Sequence, residues 1–207
     1  MKKLILVIIP MLAFVAVSCK KNSEPPVPAA DYFNLKVGNY WIYANYTSDS
    51  TGVFKPTGKF DSEYIEKDTM IRGFTYYKLL MRLLGTEPLF PEFLRDSSGY
   101  LVESRGYRLA SDFNFTDVME IDTTELIIFS AFLKMTGKDS VVTIPAGDFP
   151  SITSRETFIP SPPNPHSYPV RYGYDVYGKS VGRIKSHVFY WSGFGQIETR
   201  LVRYKTD

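Results

Sequence analysis

The hydrophobic pattern divides the chain into three parts. After Met1-Lys2-Lys3, residues Leu4 to Val17 are apolar with Pro10 as the only break. Lys20 to Pro28 is polar and rich in proline. From there on, apolar residues fall in short, mostly alternating patches, which is the period of β-strands. Tyr40 to Tyr46 is packed with aromatic and β-branched residues that suit a pleated surface. Lys59 to Glu66 alternates imperfectly and meets a polar turn at Lys67–Gly73, after which Phe74 to Leu84 resumes as a long apolar strand. Leu94 to Gly99 leads into Tyr100–Glu103 as a hairpin, with a short polar turn and Gly between two β-like runs. Glu125 to Met135 fits either a buried strand or a short helix.

The C-terminal pattern is clearest. Val141–Ile144, Pro145–Asp148 and Phe149–Phe158 read as strand, turn and strand. A strand from Tyr168 is followed by a turn at Gly178–Ser180 and a strand from Val181 to Trp191. A turn at Ser192–Gly195 then leads to a last strand from Gln196 to Tyr204. Ten to twelve strands with at most one short helix predict an all-β fold, a large antiparallel sheet curled into an open or closed barrel. Residues 31–207 are enough for one substantial core, and no linker divides them. The proline cluster Ile159 to His166 reads as a long loop.

The beginning of the chain carries the sharpest chemical signal. A basic start, a short apolar stretch and small residues before a cut site describe a signal peptide over residues 1–18. The apolar run is shorter than the roughly 20 residues a membrane-crossing helix needs. Val15-Ala16-Val17-Ser18-Cys19 resembles the bacterial lipobox, which implies cleavage before Cys19 and lipidation of its thiol. Cys19 is the sole cysteine, so no intrachain disulfide or Cys-cluster metal site can form. Several acyl chains on one residue hold a protein stably on a membrane. Residues 19–30 then form a lipidated, proline-rich tether that reaches up to ~30 Å.

Composition removes other function classes. Of 24 Lys plus Arg and 22 Asp plus Glu, cleavage removes Lys2 and Lys3, leaving 22 against 22. A neutral mature chain lacks the positive footprint of nucleic-acid binding. The two histidines, His166 and His187, sit on separate predicted elements and do not make a converging ligand set, so no metal or cofactor is expected. No serine stands in a Gly-x-Ser-x-Gly elbow, and acidic residues are scattered, so no catalytic residues are assigned. Gly178-Lys179-Ser180-Val181-Gly182 lacks the spacing of a phosphate loop, and its glycines suit a hairpin.

Tyr32 to Tyr43 (with Gly38-Asn39-Tyr40-Trp41-Ile42-Tyr43) resembles the start of the mature domain in uncharacterised lipoproteins of the Bacteroidota. Val142 to Phe149 and Tyr177 to Ile184 are similar to their late segment, and more distantly to the periplasmic carriers of the Lol system. The resemblance covers about a fifth of the chain and implies fold and envelope location, with no assigned activity. By the same analogy, Lys20 after the lipidated cysteine favours the outer membrane. Glu24 alone, where surface export favours an acidic run, favours the periplasmic face.

Aromatic residues cluster near both ends of the mature domain. Trp41, Tyr43, Tyr174, Tyr190 and Trp191 are candidate ligand-binding residues, because Tyr and Trp suit walls around sugars or amphipathic molecules. The same residues also stabilise strands through cross-strand pairs. Ser50, Thr69, Thr123 and Ser140 each follow Asp in triplets that resemble Bacteroidota O-glycosylation acceptors, though Asp before Ser or Thr is also ordinary turn chemistry. The reading favoured by sequence is a non-enzymatic, lipid-anchored β-domain that binds an apolar or amphipathic ligand or a protein partner. A surface glycan-binding or accessory lipoprotein is the alternative, and a purely structural role the default.

Overall fold

A computed structural model describes residues 31–83, 89–122, 129–161, 168–190, 193 and 195–207. Cys19, Thr123, His166 and Trp191, with the signal and tether segments, lie outside the described residues. Twelve strands form: β1 Tyr40–Ser48, β2 Phe54–Ile71, β3 Phe74–Arg82, β4 Phe90–Ser97, β5 Tyr100–Glu103 and β6 Arg108–Ser111 in the first half. They continue as β7 Val118–Asp122, β8 Phe129–Ile144, β9 Gly147–Pro160, β10 Arg171–Gly178, β11 Gly182–Phe189 and β12 Gln196–Lys205. No described residue is helical.

All twelve belong to one antiparallel sheet in the order β6-β5-β4-β3-β2-β1-β12-β11-β10-β9-β8-β7. Strands consecutive in sequence pair with one another except β6 and β7, and β1 pairs with β12 to bring the first and last strands together. The two sheet edges, β6 and β7, are consecutive in sequence and end side by side, so the sheet curls into a barrel with one unsealed seam. Register shifts at Ile42/Tyr43, Ala44/Tyr46, Ile65/Lys67 and Val176/Tyr177 supply the local bends such curling requires.

Two predicted boundaries move. β2 continues to Ile71, because only Arg72 and Gly73, both at positive φ (50° and 82°), make the turn into β3. That is the two-residue hairpin geometry matched to strand twist, so the polar residues from Lys67 onward are edges of a long strand. Ser98 and Gly99 repeat it between β4 and β5 with φ of 54° and 84°. Val141–Ile144 is the end of the 16-residue β8, which begins at Phe129 and settles the ambiguous stretch as strand from that residue on.

Strand alternation places Trp41, Tyr43 and Asn45 on the inner face of β1, with Ile65, Ile184 and Leu201 also wholly buried. Residues 31–39 close the end of the barrel at which the described chain begins. Asp31 accepts from the amides of Phe33 and Asn34 through Oδ1, and its carbonyl accepts from the Ser180 amide. Asn34 Nδ2 donates to the Ser180 carbonyl at 2.8 Å, and Phe33 packs edge-on against Tyr177. Trp41 Nε1 donates to the Val181 carbonyl at 2.6 Å. Its ring lies so close to Gly182 that a Cβ there would stand 3.2 Å from it, and Gly182 has φ of +99°. The Lys179 amide donates to the Pro150 carbonyl, and Gly178 packs on Ile184 and Phe149. Thus the three segments that carry the lipoprotein resemblance converge here and build one floor.

Candidate functional site

Above that floor the barrel is not filled. A cavity of about 190 Å³ is walled by Phe33, Leu35, Trp41, Ile65, Leu79 and Leu101, with Glu63, Glu92 and Arg183 among its polar lining. A second, about 380 Å³, lies at the seam and includes Glu103, Arg105, Arg108, Glu120, Leu133 and Glu156. A third, about 210 Å³, reaches towards the far end of the barrel between β9, β10 and β11. Asp175 lines all three, Leu109 is common to the first two, and Leu133 and Glu156 to the last two. The seam cavity alone lies within the usual size of small-molecule sites.

Sheet geometry explains how carboxylates reach this lumen. Trp41 pairs with Glu63 and Tyr43 with Asp61, and residues directly opposite share a face, so the inward set of β1 carries two carboxylates of β2 inside. Leu79 pairs with Glu92 and Leu94 with Glu103, which continues the inner face onto β4 and β5. Asp175 pairs with Ser154, and Gly173 with Glu156.

The lower carboxylates are partnered. Glu63 is ion-paired with Arg183, and the Tyr43 hydroxyl lies 3.0 Å from Glu63 Oε2 and 2.9 Å from the Arg183 carbonyl. Burial pushes the Tyr43 hydroxyl up to about 12, against the opposing pull of Arg183. Asn45 Nδ2 donates to Asp61 Oδ1 at 2.8 Å. Higher up, compensation is incomplete. Burial, and then the neighbouring Glu103 and Asp175, push Glu92 up to about 7, with Arg105 opposing. Burial raises Asp175 to about 6, and its Oδ1, 3.6 Å from Arg183 Nη1, has no hydrogen-bond partner. Glu103 is held by Arg105. The result is an apolar floor beneath a ring in which acidic groups predominate.

The candidate aromatics do not form one wall. Trp41 and Tyr43 face inward from β1; Trp41 is 3% exposed with its ring N–H spent on Val181, so it is no open platform for sugars. Tyr174 lies on the opposite face of its sheet from Asp175. It stacks on His187 with centroids 4.6 Å apart and donates to Glu198 Oε2 at 2.8 Å. Tyr190, half exposed, stands at the end of β11 beside Gly195. Glu198, 2% exposed, also takes Lys185 and Arg200. Burial works to raise its pKa, but hydrogen bonds from Lys185, Arg200 and Tyr174 outweigh it and hold the carboxyl below its usual range. His187 Nε2 meets Gln196 Oε1 rather than a serine or carboxylate.

Ser50 and Ser140 are exposed and Thr69 is half-buried. Asp49 Oδ1 accepts from both the amide and hydroxyl of Thr51, the turn chemistry expected of its triplet. Among the described residues, no group of three or more His, Cys, Asp or Glu is arranged to hold a metal.

Sequence reasoning found the inward aromatics but not Glu92, Glu103, Glu156 and Asp175. Their signal was parity: Asp175 alternates with Gly173, and Glu63 with Ile65, yet the bulges break the count between strands.

No protein-family model matches the chain, and no curated protein matches it in sequence. Among solved structures, the chain is similar to a protein from Bacteroides fragilis NCTC 9343 described as exported and as having a YmcC-like fold. The identity is 13% and the TM-score 0.51, over 84% of this chain and 98% of that one. It is also similar to a protein from Parabacteroides distasonis ATCC 8503 described as a lipoprotein, at 12% identity and TM-score 0.47, with the same coverage. At such identities the likeness is one of fold.

Proposed function

We propose that this protein is a non-enzymatic, lipid-anchored envelope protein that holds a small amphipathic molecule in its barrel lumen, with a positively charged head beside Glu92 and Asp175. The observation that carries the reading is the set of adjoining cavities, sharing Asp175 and Leu109 as lining, with an apolar floor and an under-compensated acidic ring. A hydrocarbon tail against Phe33, Leu35 and Leu79 loses water-exposed surface, at about 25 cal/mol per Å². An ammonium near Glu92, Glu103 and Asp175 offsets the burial, and then the repulsion, that raise Glu92. The resemblance of the late segments Val142–Phe149 and Tyr177–Ile184 to Lol-type carriers supports the lipid side of this reading, and the export described for the protein of similar fold supports its envelope location.

Anchoring at Cys19 accounts for the envelope location, with the outer membrane, facing the periplasm, as the favoured site. Residue 31 enters at the floor, the closed end of the lumen. Native mass spectrometry of the mature protein extracted from its membranes tests the reading. The expected result is a non-covalent small-molecule adduct in the unmodified chain and its loss in Leu109→Trp, which fills the wall shared by two cavities. A bare chain in both would overturn it.

A further inference from the structure

We infer that the seam between β6 and β7 is the port through which the lumen exchanges its contents, and that the Arg108–Glu120 pair is the strap across it. This rests on the lumen-binding reading and adds the route to it.

A closed barrel continues its backbone ladder all the way round, and an edge left without one must satisfy its polar groups by other means. β6 pairs with β5 on one side only. On its other side, side chains take the place of a neighbouring strand. The Arg108 amide donates to Glu120 Oε1 at 2.9 Å, the Leu109 carbonyl accepts from Ser154 Oγ at 2.6 Å, and the Ser111 amide points to Met135 Sδ at 3.3 Å. Glu120 belongs to β7, whereas Ser154 and Met135 belong to β9 and β8. The β6 edge therefore lies against the inner wall, and among the described residues Glu120 and the Met119 carbonyl tie it to β7.

That tie is concentrated in one residue. Arg108 Nε donates to Glu120 Oε1 at 3.0 Å, and its guanidinium also reaches the Met119 carbonyl. Their side chains are 43% and 27% exposed, and both line the seam cavity, so the pair stands between solvent and lumen. A screened, solvent-facing ion pair is a weak lock compared with a ladder of backbone bonds. The end closed by residues 31–39 offers no comparable route, because Phe33, Leu35 and Trp41 floor it and residues 31–34 are hydrogen-bonded to the β10–β11 turn.

The test uses the mature chain with Cys19→Ser, which leaves no native thiol. The probe is a dansyl-labelled alkane diamine with one free ammonium, followed by stopped-flow fluorescence. Arg108→Cys with Glu120→Cys, joined by a disulfide or a short bismaleimide, is expected to slow uptake and release at least tenfold. Reduction of the disulfide form restores both rates, and the equilibrium constant differs by less than about threefold between the cross-linked and reduced forms of this same variant. Glu120→Ala, which removes the strap's acceptor without a cross-link, is expected to speed uptake and release together. Equal rates in the cross-linked and reduced forms, with normal equilibrium binding, would overturn the port alone. Absence of equilibrium binding in the chain without seam substitutions would overturn the lumen reading beneath it.

Discussion

Replacing Glu92 by Gln should stabilise the protein at alkaline pH, although it removes a charged residue from the interior. Glu92 rises from 4.5 to about 7 because burial, Glu103 and Asp175 all disfavour its charged form. One pKa unit corresponds to about 1.4 kcal/mol, so the gross cost of ionising Glu92 in the folded state is roughly 3 kcal/mol. The side chain faces a cavity that water can enter, and screening reduces the net figure to about 1–2 kcal/mol. The sign follows from proton counting. Between the two pKa values the folded chain binds more protons than the unfolded one, so stability is full below about 4.5 and is lost as pH climbs through 7. Glu92→Gln, of nearly the same shape, removes that loss. Thermal unfolding by circular dichroism should show its midpoint raised by roughly 3–6 °C at pH 8 and little changed at pH 4, on the scaling for a domain of this size. An unchanged or lower midpoint at pH 8, or the same increment at both pH values, would refute the reasoning. A residue retained at such a cost to stability is what a charge-recognising site requires.

Other consequences concern the frame around the lumen. Gly182→Ala must place a side chain at φ of +99° and displace the Trp41 ring, and should cost about 2 kcal/mol in chemical denaturation. Glu198→Gln weakens three donors' shared acceptor and should cost about 1.5–3 kcal/mol at pH 8. Because the folded pKa of Glu198 is lowered, that cost should shrink as pH falls below the carboxylate range, opposite in sign to Glu92→Gln. Cys19→Ser should move the protein from the membrane pellet to the soluble fraction and abolish labelling by radioactive palmitate.

Much of the fold was legible because a β-strand alternates with period two and its hairpins carry local signatures. Arg72-Gly73 and Ser98-Gly99 mark their turns without help from distant residues. The long meander from β8 to β12 could be read for the same reason. What alternation cannot convey is which face becomes the inside once bulges intervene. β11 shows the problem: Arg183 and Ile184 are adjacent, yet the bulge directs one to Glu63 and buries the other completely. The acidic ring was therefore illegible, since Glu63, Glu92, Glu103 and Asp175 lie on four different strands and meet only when the sheet curls. Conversely, Trp41 looked like a ligand platform and is instead a wall residue whose ring and N–H hold the floor hairpin in place. Tyr174 was read as a candidate ligand-binding residue, and its neighbours turn out to be an ion network around Glu198.

The central claim is that the lumen takes an amphiphile with a positive head. Isothermal titration of the mature Cys19→Ser chain at pH 8 with monomeric dodecylamine and, separately, dodecyl sulfate tests it most directly. The two probes share a tail and differ in charge. The account requires saturable binding of one amine per chain, weakened at least fivefold by Glu92→Gln, and no saturable binding of the sulfate. Equal binding of both probes, preference for the sulfate, or no binding of the amine would contradict it.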